Sequence, residues 1–293
     1  MGGFFIEAIM KEGKALQHSP QIEKWYNKEL QKLCKEMFGK TFSVIESDFK
    51  KLFANKMSAT ELTSHLNALF ETYYELFKKR GKIIAKKFLE KQIRQARIST
   101  KQALEPIANK DLGFMQKGSV VNDNNKNIVK MEIYNNVSLI ASIPQQYFTD
   151  VAGEVTRTIA FGGGFVALVA FLTRYKKITE KRAKLISYDQ TRKVYSAIAL
   201  QEMKDAGFNK VKWRHSNAGK EPREYHLRKW DGVSGKEDGH PNGLNGFIYE
   251  IDNPPVIEEA YEPKTERGTY RPEVRGHPAQ LINCRCFLVP VVE

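Results

Sequence analysis

Two cysteines, Cys284 and Cys286, stand one residue apart near the end of the chain, seven residues after His277-Pro278. Another potential donor, His226, lies upstream in Arg223-Glu224-Tyr225-His226. Thiolate sulfur and imidazole nitrogen are the donors zinc prefers, usually four in a tetrahedron. His226, His277, Cys284 and Cys286 would supply two of each. Zinc sites usually space their cysteines more widely, so Cys-x-Cys is tight. On an extended strand, however, alternate side chains share a face, and the pair can still converge. A further histidine, in Gly239-His240-Pro241, reads as an exposed turn.

The same residues admit two other chemistries. Arg223, Glu224, His226, His277 and Arg285 could close a hydrogen-bonded lock without metal, leaving the cysteines as small buried hydrophobes. Alternatively, His226 with Arg223 and Glu224 could do acid–base work on a phosphodiester that Arg285 holds, or Cys286 and His277 could pair as thiol and imidazole. No P-loop, H-E-x-x-H or G-x-S-x-G accompanies them. Structural zinc, a polar core and catalysis all stay open on the residues alone.

The elements that must position this cluster are short. Val211-Lys212-Trp213-Arg214 alternates like a strand, and Phe247–Ile251 and Phe287–Val289 are further strand candidates. They follow a strong helix predicted over Thr179–Ala206, with Ala183, Ile186, Val194, Ile198 and Met203 on one face and Gly207 as its stop. Upstream the chain reads as helical. Ile22, Trp25, Tyr26, Leu30, Leu33, Cys34 and Met37 share a face over 20–38, with Cys34 as a core residue. Ser58-Ala59-Thr60-Glu61 is a capping box opening a longer helix, which Gly81 could interrupt. Residues 109–127, rich in Gly and Asn, predict a loop. The uncharged run Ile159–Leu172 carries three glycines and is too short for an ordinary bilayer span. It predicts a buried turn into a core helix, with membrane entry as the sharper alternative. The expected fold class is α+β: a mainly helical N-terminal arm, then a small loop-rich C-terminal α+β domain. The expected boundaries are 1–120, 121–178 and 179–293.

In this order the elements resemble the C-terminal domain of the phage Mu F-like minor head proteins, the head morphogenesis family of tailed bacteriophages. Asp189-Gln190-Thr191, Trp213, Arg223 with His226, Gly246-Phe247, His277-Pro278 and Cys284-Arg285-Cys286 carry the resemblance, over roughly 180–293. It implies a non-enzymatic minor capsid component inside the head near the portal vertex. Such a protein contacts the portal and major capsid proteins and packaged double-stranded DNA, and in some phages leaves with the genome, meeting a membrane during ejection. The alternative is a toxin-like nuclease or other enzyme delivered with the genome.

Charge points to a polyanion independently. The chain carries 47 Lys and Arg against 34 Asp and Glu, a net +13 over 293 residues. Between 78 and 97 the bases are Lys78, Lys79, Arg80, Lys82, Lys86, Lys87, Lys91, Arg94 and Arg97, with Glu90 alone opposing them. A second run holds Arg174, Lys176, Lys177, Lys181 and Arg182. Both are candidate contacts to DNA phosphates without base readout. Three cysteines make no disulfide framework, which fits synthesis in a reducing bacterial cytoplasm. No secretory signal is expected from Met1-Gly2-Gly3-Phe4-Phe5.

Overall fold

A computed structural model describes residues 10–108, 123–161, 164–216, 223–229, 239–240, 243–260 and 270–292. The fold is mainly helical α+β. Four long helices, α1 (Pro20–Phe53), α2 (Ala59–Leu104), α3 (Asp123–Ala160) and α4 (Phe165–Asp205), precede short strands. The strands are β2 (Lys210–Arg214), β3 (Arg228–Lys229), β4 (Gly239–His240), β5 (Ile248–Glu250), β6 (Val256–Glu258), β7 (Val274–Arg275) and β8 (Phe287–Val292); β1 (Lys11–Glu12) comes before the helices.

The chain forms two compact units, one from 20–91 with 129–190, the other from 1–19, 92–128 and 191–293. The expected boundary at 178 therefore falls inside α4, and both α2 and α4 contribute to each unit. Of the loop expected at 109–127, residues 123–127 are instead helical, at the start of α3; 109–122 and Gly162-Gly163 lie outside the described residues.

The first unit is helical. The capping box forms: Glu61 N–H donates to Ser58 Oγ at 3.2 Å, and Ser58 N–H donates to Glu61 Oε2 at 2.7 Å. Gly81 does not interrupt α2. It is buried, and an added Cβ would stand 3.1 Å from Ile140 Cγ2, so the glycine permits close helix packing. The core stripe of α1 continues past 38 through Thr41, Ile45 and Phe49. Tyr26 stacks on Phe88 at 4.2 Å, and its hydroxyl donates to Asn136 Oδ1 at 2.8 Å, which meets the need of a buried phenol for a partner. Cys34 is buried in this core, where desolvation pushes its thiol up to about 12.

Of the buried turn and core helix expected over 159–172, the helix is present, with Leu168, Phe171 and Leu172 buried on α4, but Phe161 in the turn is not buried. α3 ends at Ala160 and α4 begins at Phe165, and Phe161 between them is 85% exposed. The apolar run is divided between two helix ends, where fewer neighbours cover it.

The second unit carries the sheet, ordered β1-β8-β2-β5 with antiparallel pairing throughout. Trp213 pairs with Leu288 in register, and both are buried. Gly207 stops α4: at φ 81° its N–H donates to Lys204 O, and Phe208 N–H donates to Met203 O, the two bonds of a Schellman cap. β3 pairs with β4 in parallel, and β6 with β7 antiparallel.

Candidate metal centre

Burial alternates at the entry to β8: Cys284 and Cys286 point inward and Arg285 outward, as period-two geometry requires. The inward pair meets His226, the last residue of a 3₁₀ turn at Glu224–His226. His226 Nδ1 lies 3.4 Å from Cys286 Sγ and 3.8 Å from Cys284 Sγ. The three donor atoms fall within 4.8 Å of one another, and the residues are only 4%, 3% and 6% exposed. This buried group could hold a metal ion.

The surroundings favour thiolate at Cys284. Ala279 N–H donates to Cys284 Sγ at 3.2 Å, and the Ser216 backbone favours charge on Cys286 in the same way. Ala279 reaches that position at φ 73°, and Asn283, next to Cys284, sits at φ 62°. Two non-glycine residues in the left-handed region around two cysteines mark backbone held in place by its surroundings. The cysteines titrate as a pair. Cys284 is held well below the ordinary thiol range, first by the hydrogen bond from Cys286, then by His226 and the Ala279 N–H. Cys286, donor of that bond and buried, is pushed up. Trp213 packs edge-on against His226 at 5.3 Å. Its indole N–H makes no conventional hydrogen bond, although it too favours charge on Cys286. His226 Nε2 is likewise buried without a partner.

His277 is not brought into this group. Its Nδ1 pairs with Tyr249 Oη at 3.1 Å, and the two rings stack. Its N–H donates to Gln280 Oε1 at 2.9 Å, which turns the chain before it reaches the cysteines. Desolvation, then Lys204, lowers its pKa to about 4. The expected polar lock is also rearranged. Arg223 Nη2 donates to the Ile282 carbonyl at 3.0 Å, while Arg285 is exposed. The side chains of Glu224 and His240 lie outside the described residues. Asp189, Gln190 and Thr191 are buried on α4: Gln92 Nε2 donates to Thr191 O at 3.1 Å, and Asn136 Nδ2 to Gln190 Oε1 at 3.4 Å. They are packing residues.

Most of the basic residues are on the surface. Lys78, Lys79, Arg80, Lys82, Lys86, Lys87, Lys91 and Arg94 are exposed on α2, as are Arg174, Lys176, Lys177 and Lys181 on α4. Some are engaged locally: Lys78 with Glu75, Arg80 with Glu36, and Lys91 over the Trp25 ring. Two expected DNA contacts are corrected. Arg97 Nε pairs with Glu202 at 2.9 Å, with side chains 12% and 6% exposed. Arg182 donates to Ser142 Oγ, and its Nε is buried. Both positions fall on the inward edge of their helix.

The backbone donors at Ala279 and Ser216 leave no trace in the sequence, because neither position carries a glycine or turn signature.

No family model matches the chain, and no solved structure does. A protein of Haemophilus influenzae, described as an uncharacterized protein, is 24% identical over 290 residues. The alignment takes in 98% of this chain but 57% of the relative, so the chain spans little more than half of that protein's length.

Proposed function

We propose that this chain is a minor head protein of a tailed bacteriophage, made in the host cytoplasm and housed in the capsid interior near the portal vertex. There it touches the portal and major capsid proteins and lies against packaged double-stranded DNA. The observation that carries the reading is the exposed basic rows on α2 and α4, in a unit whose residues 20–91 and 129–190 hold 23 Lys and Arg against 14 Asp and Glu. Cations spread along helices, without an accompanying pattern for base edges, suit phosphate contact. The resemblance of 180–293 to Mu F-like proteins supplies the context.

Zinc is the ion we assign to His226, Cys284 and Cys286, as a structural staple. Two thiolates and an imidazole suit it, and such a small sheet has little core of its own. Burial of all three donors supports a structural role over a catalytic one, because a substrate would need access.

Duplex of random sequence, titrated at several salt concentrations, tests the DNA contact. Replacing Lys79, Lys82, Lys86 and Lys87 with Ser is expected to flatten the log K against log salt slope by about 3.6, near 0.9 for each phosphate no longer neutralised. An affinity indifferent to salt overturns it. Peptide mass spectrometry of purified virions tests the location, and absence of the chain from particles overturns the phage reading.

A further inference from the structure

The helical unit of 20–91 and 129–190 ends in an apolar cap. Phe49 stands 6.0 Å from both the Phe53 and the Phe165 rings, so the end of α1 and the start of α4 share one end of this unit. The α1–α2 connection and Phe161, the residue after α3, lie near this end. Phe53 is 66% exposed, Phe161 85% and Val166 82%. Ala167 and Ala170, on the next turn of α4, are exposed as well. Leaving these side chains in water costs free energy that a partner could recover.

Cations flank the cap along α4. Following α4 away from Val166, the exposed residues become Arg174, Lys176 and Lys177. At 1.5 Å rise per residue, Arg174 lies about 12 Å below Val166. At the end of α1, Lys50 and Lys51 pair with Glu46 and Asp48, and Lys56 just beyond it is exposed. The carboxylates at this end are committed: Glu46 to Lys50, Asp48 to Lys51 and His65, Glu61 to the Ser58 cap, and Glu154 to Arg157.

We propose that this cap is a docking surface for an anionic lipid bilayer. Phe53, Phe161 and Val166 would enter the boundary between headgroups and acyl chains, with Arg174, Lys176 and Lys177 at headgroup depth. Their backbone lies about 12–16 Å from Val166, beyond the roughly 5–10 Å penetration of interfacial segments, and the long Arg and Lys side chains can reach back across the difference. Duplex DNA offers the same phosphates but nothing for a phenyl ring to enter. The side chains project from helix ends and turns, and do not line a groove that a partner helix would fill. The contact is peripheral, since no described helix is long and apolar enough to cross a membrane.

Vesicle flotation with the full chain tests this, using phosphatidylcholine alone and phosphatidylcholine with about 30 mol% phosphatidylglycerol. The protein is expected to float with the anionic vesicles only. Phe53→Ser/Phe161→Ser/Val166→Ser, all at exposed positions, should lower partitioning by about tenfold or more while DNA affinity stays unchanged. Arg174→Ser/Lys176→Ser/Lys177→Ser should lower it too. Failure of the wild type to float at low salt overturns the proposal. So does a triple apolar variant that floats as well as wild type, or self-association that the variant abolishes without any lipid binding. Because DNA affinity is read separately, these failures are distinct from failure of the DNA contact.

Discussion

Stripping metal from the terminal module should cost far more than its cysteines contribute by packing. Consider chelation of the purified, metal-loaded protein, alongside Cys284→Ser/Cys286→Ser. If the site is a packing cluster, removing two small buried thiols costs about 1–2 kcal/mol in all, within the usual range for point substitutions. If it holds zinc, the loss is set by mass action: about 4 kcal/mol when free metal exceeds its dissociation constant a thousandfold. At about 2–4 °C per kcal/mol for a unit of this size, that is a drop in Tm of roughly 8–16 °C. The geometry favours the larger figure. The three donors already converge within 4.8 Å, and backbone N–H groups already serve both sulfurs, so little reorganisation is needed on loading. Scanning calorimetry with elemental analysis reads both quantities. The chelated wild type and the untreated double variant should melt together, and the variant should ignore chelator. A folded wild type that contains no zinc and whose Tm does not respond to added zinc or chelator would refute the reasoning.

Three further outcomes are expected. His277 and His18 both have pKa values lowered to about 4 in the fold, chiefly by burial, with Lys204 and Arg192 respectively adding to it. The unfolded chain takes up these protons near 6.5, so their contribution is full above that pH and is lost as pH falls toward 4. Discounted for partial exposure, each is worth about 1–2 kcal/mol, and His277→Gln should flatten the acid limb of a denaturation-versus-pH curve. Arg97→Met alone strands the buried Glu202 and should cost about 3 kcal/mol by urea melt, while Arg97→Met/Glu202→Met recovers most of it and DNA binding is unchanged. Gly276→Ala should destabilise by about 1–3 kcal/mol, because its Cβ would collide with the Gln280 amide and stand 2.7 Å from Ile257 Cδ1; a thermal melt equal to wild type would contradict it.

What is legible in the sequence is what local rules govern. Ser58 with Glu61 and Gly207 each act within a few residues of themselves, and both helix ends stand near where those residues predict them. The alternation at Trp213 and across Cys284-Arg285-Cys286 is a period-two signal, and it places two donors on one face correctly. His277 cannot be placed this way. Its direction depends on Gln280 and Tyr249 and on the turn through Ala279, none of which spacing reveals. Arg97 and Arg182 read with their neighbours as surface charge, although helical phase puts them at the inward edge. Gly81 suggests a break because its partner, Ile140, is remote in sequence. Strand β1 escapes sequence reading altogether, since two residues carry no periodicity and its pairing partner is at the other end of the chain.

That last pairing sets an order of events during synthesis. Lys11 pairs with Val292, and Leu16 bridges to Leu288. A ribosome makes β1 long before β8, so β1 must wait, unpaired, until β8 emerges. The helices of 20–190 can collapse long before then, whereas the sheet closes last. Cys284 and Cys286 emerge just before β8, so the site forms only after the four helices have already been made. A chain that stops before β8 would release folded helices and an unfinished sheet, a form that cellular proteases can recognise.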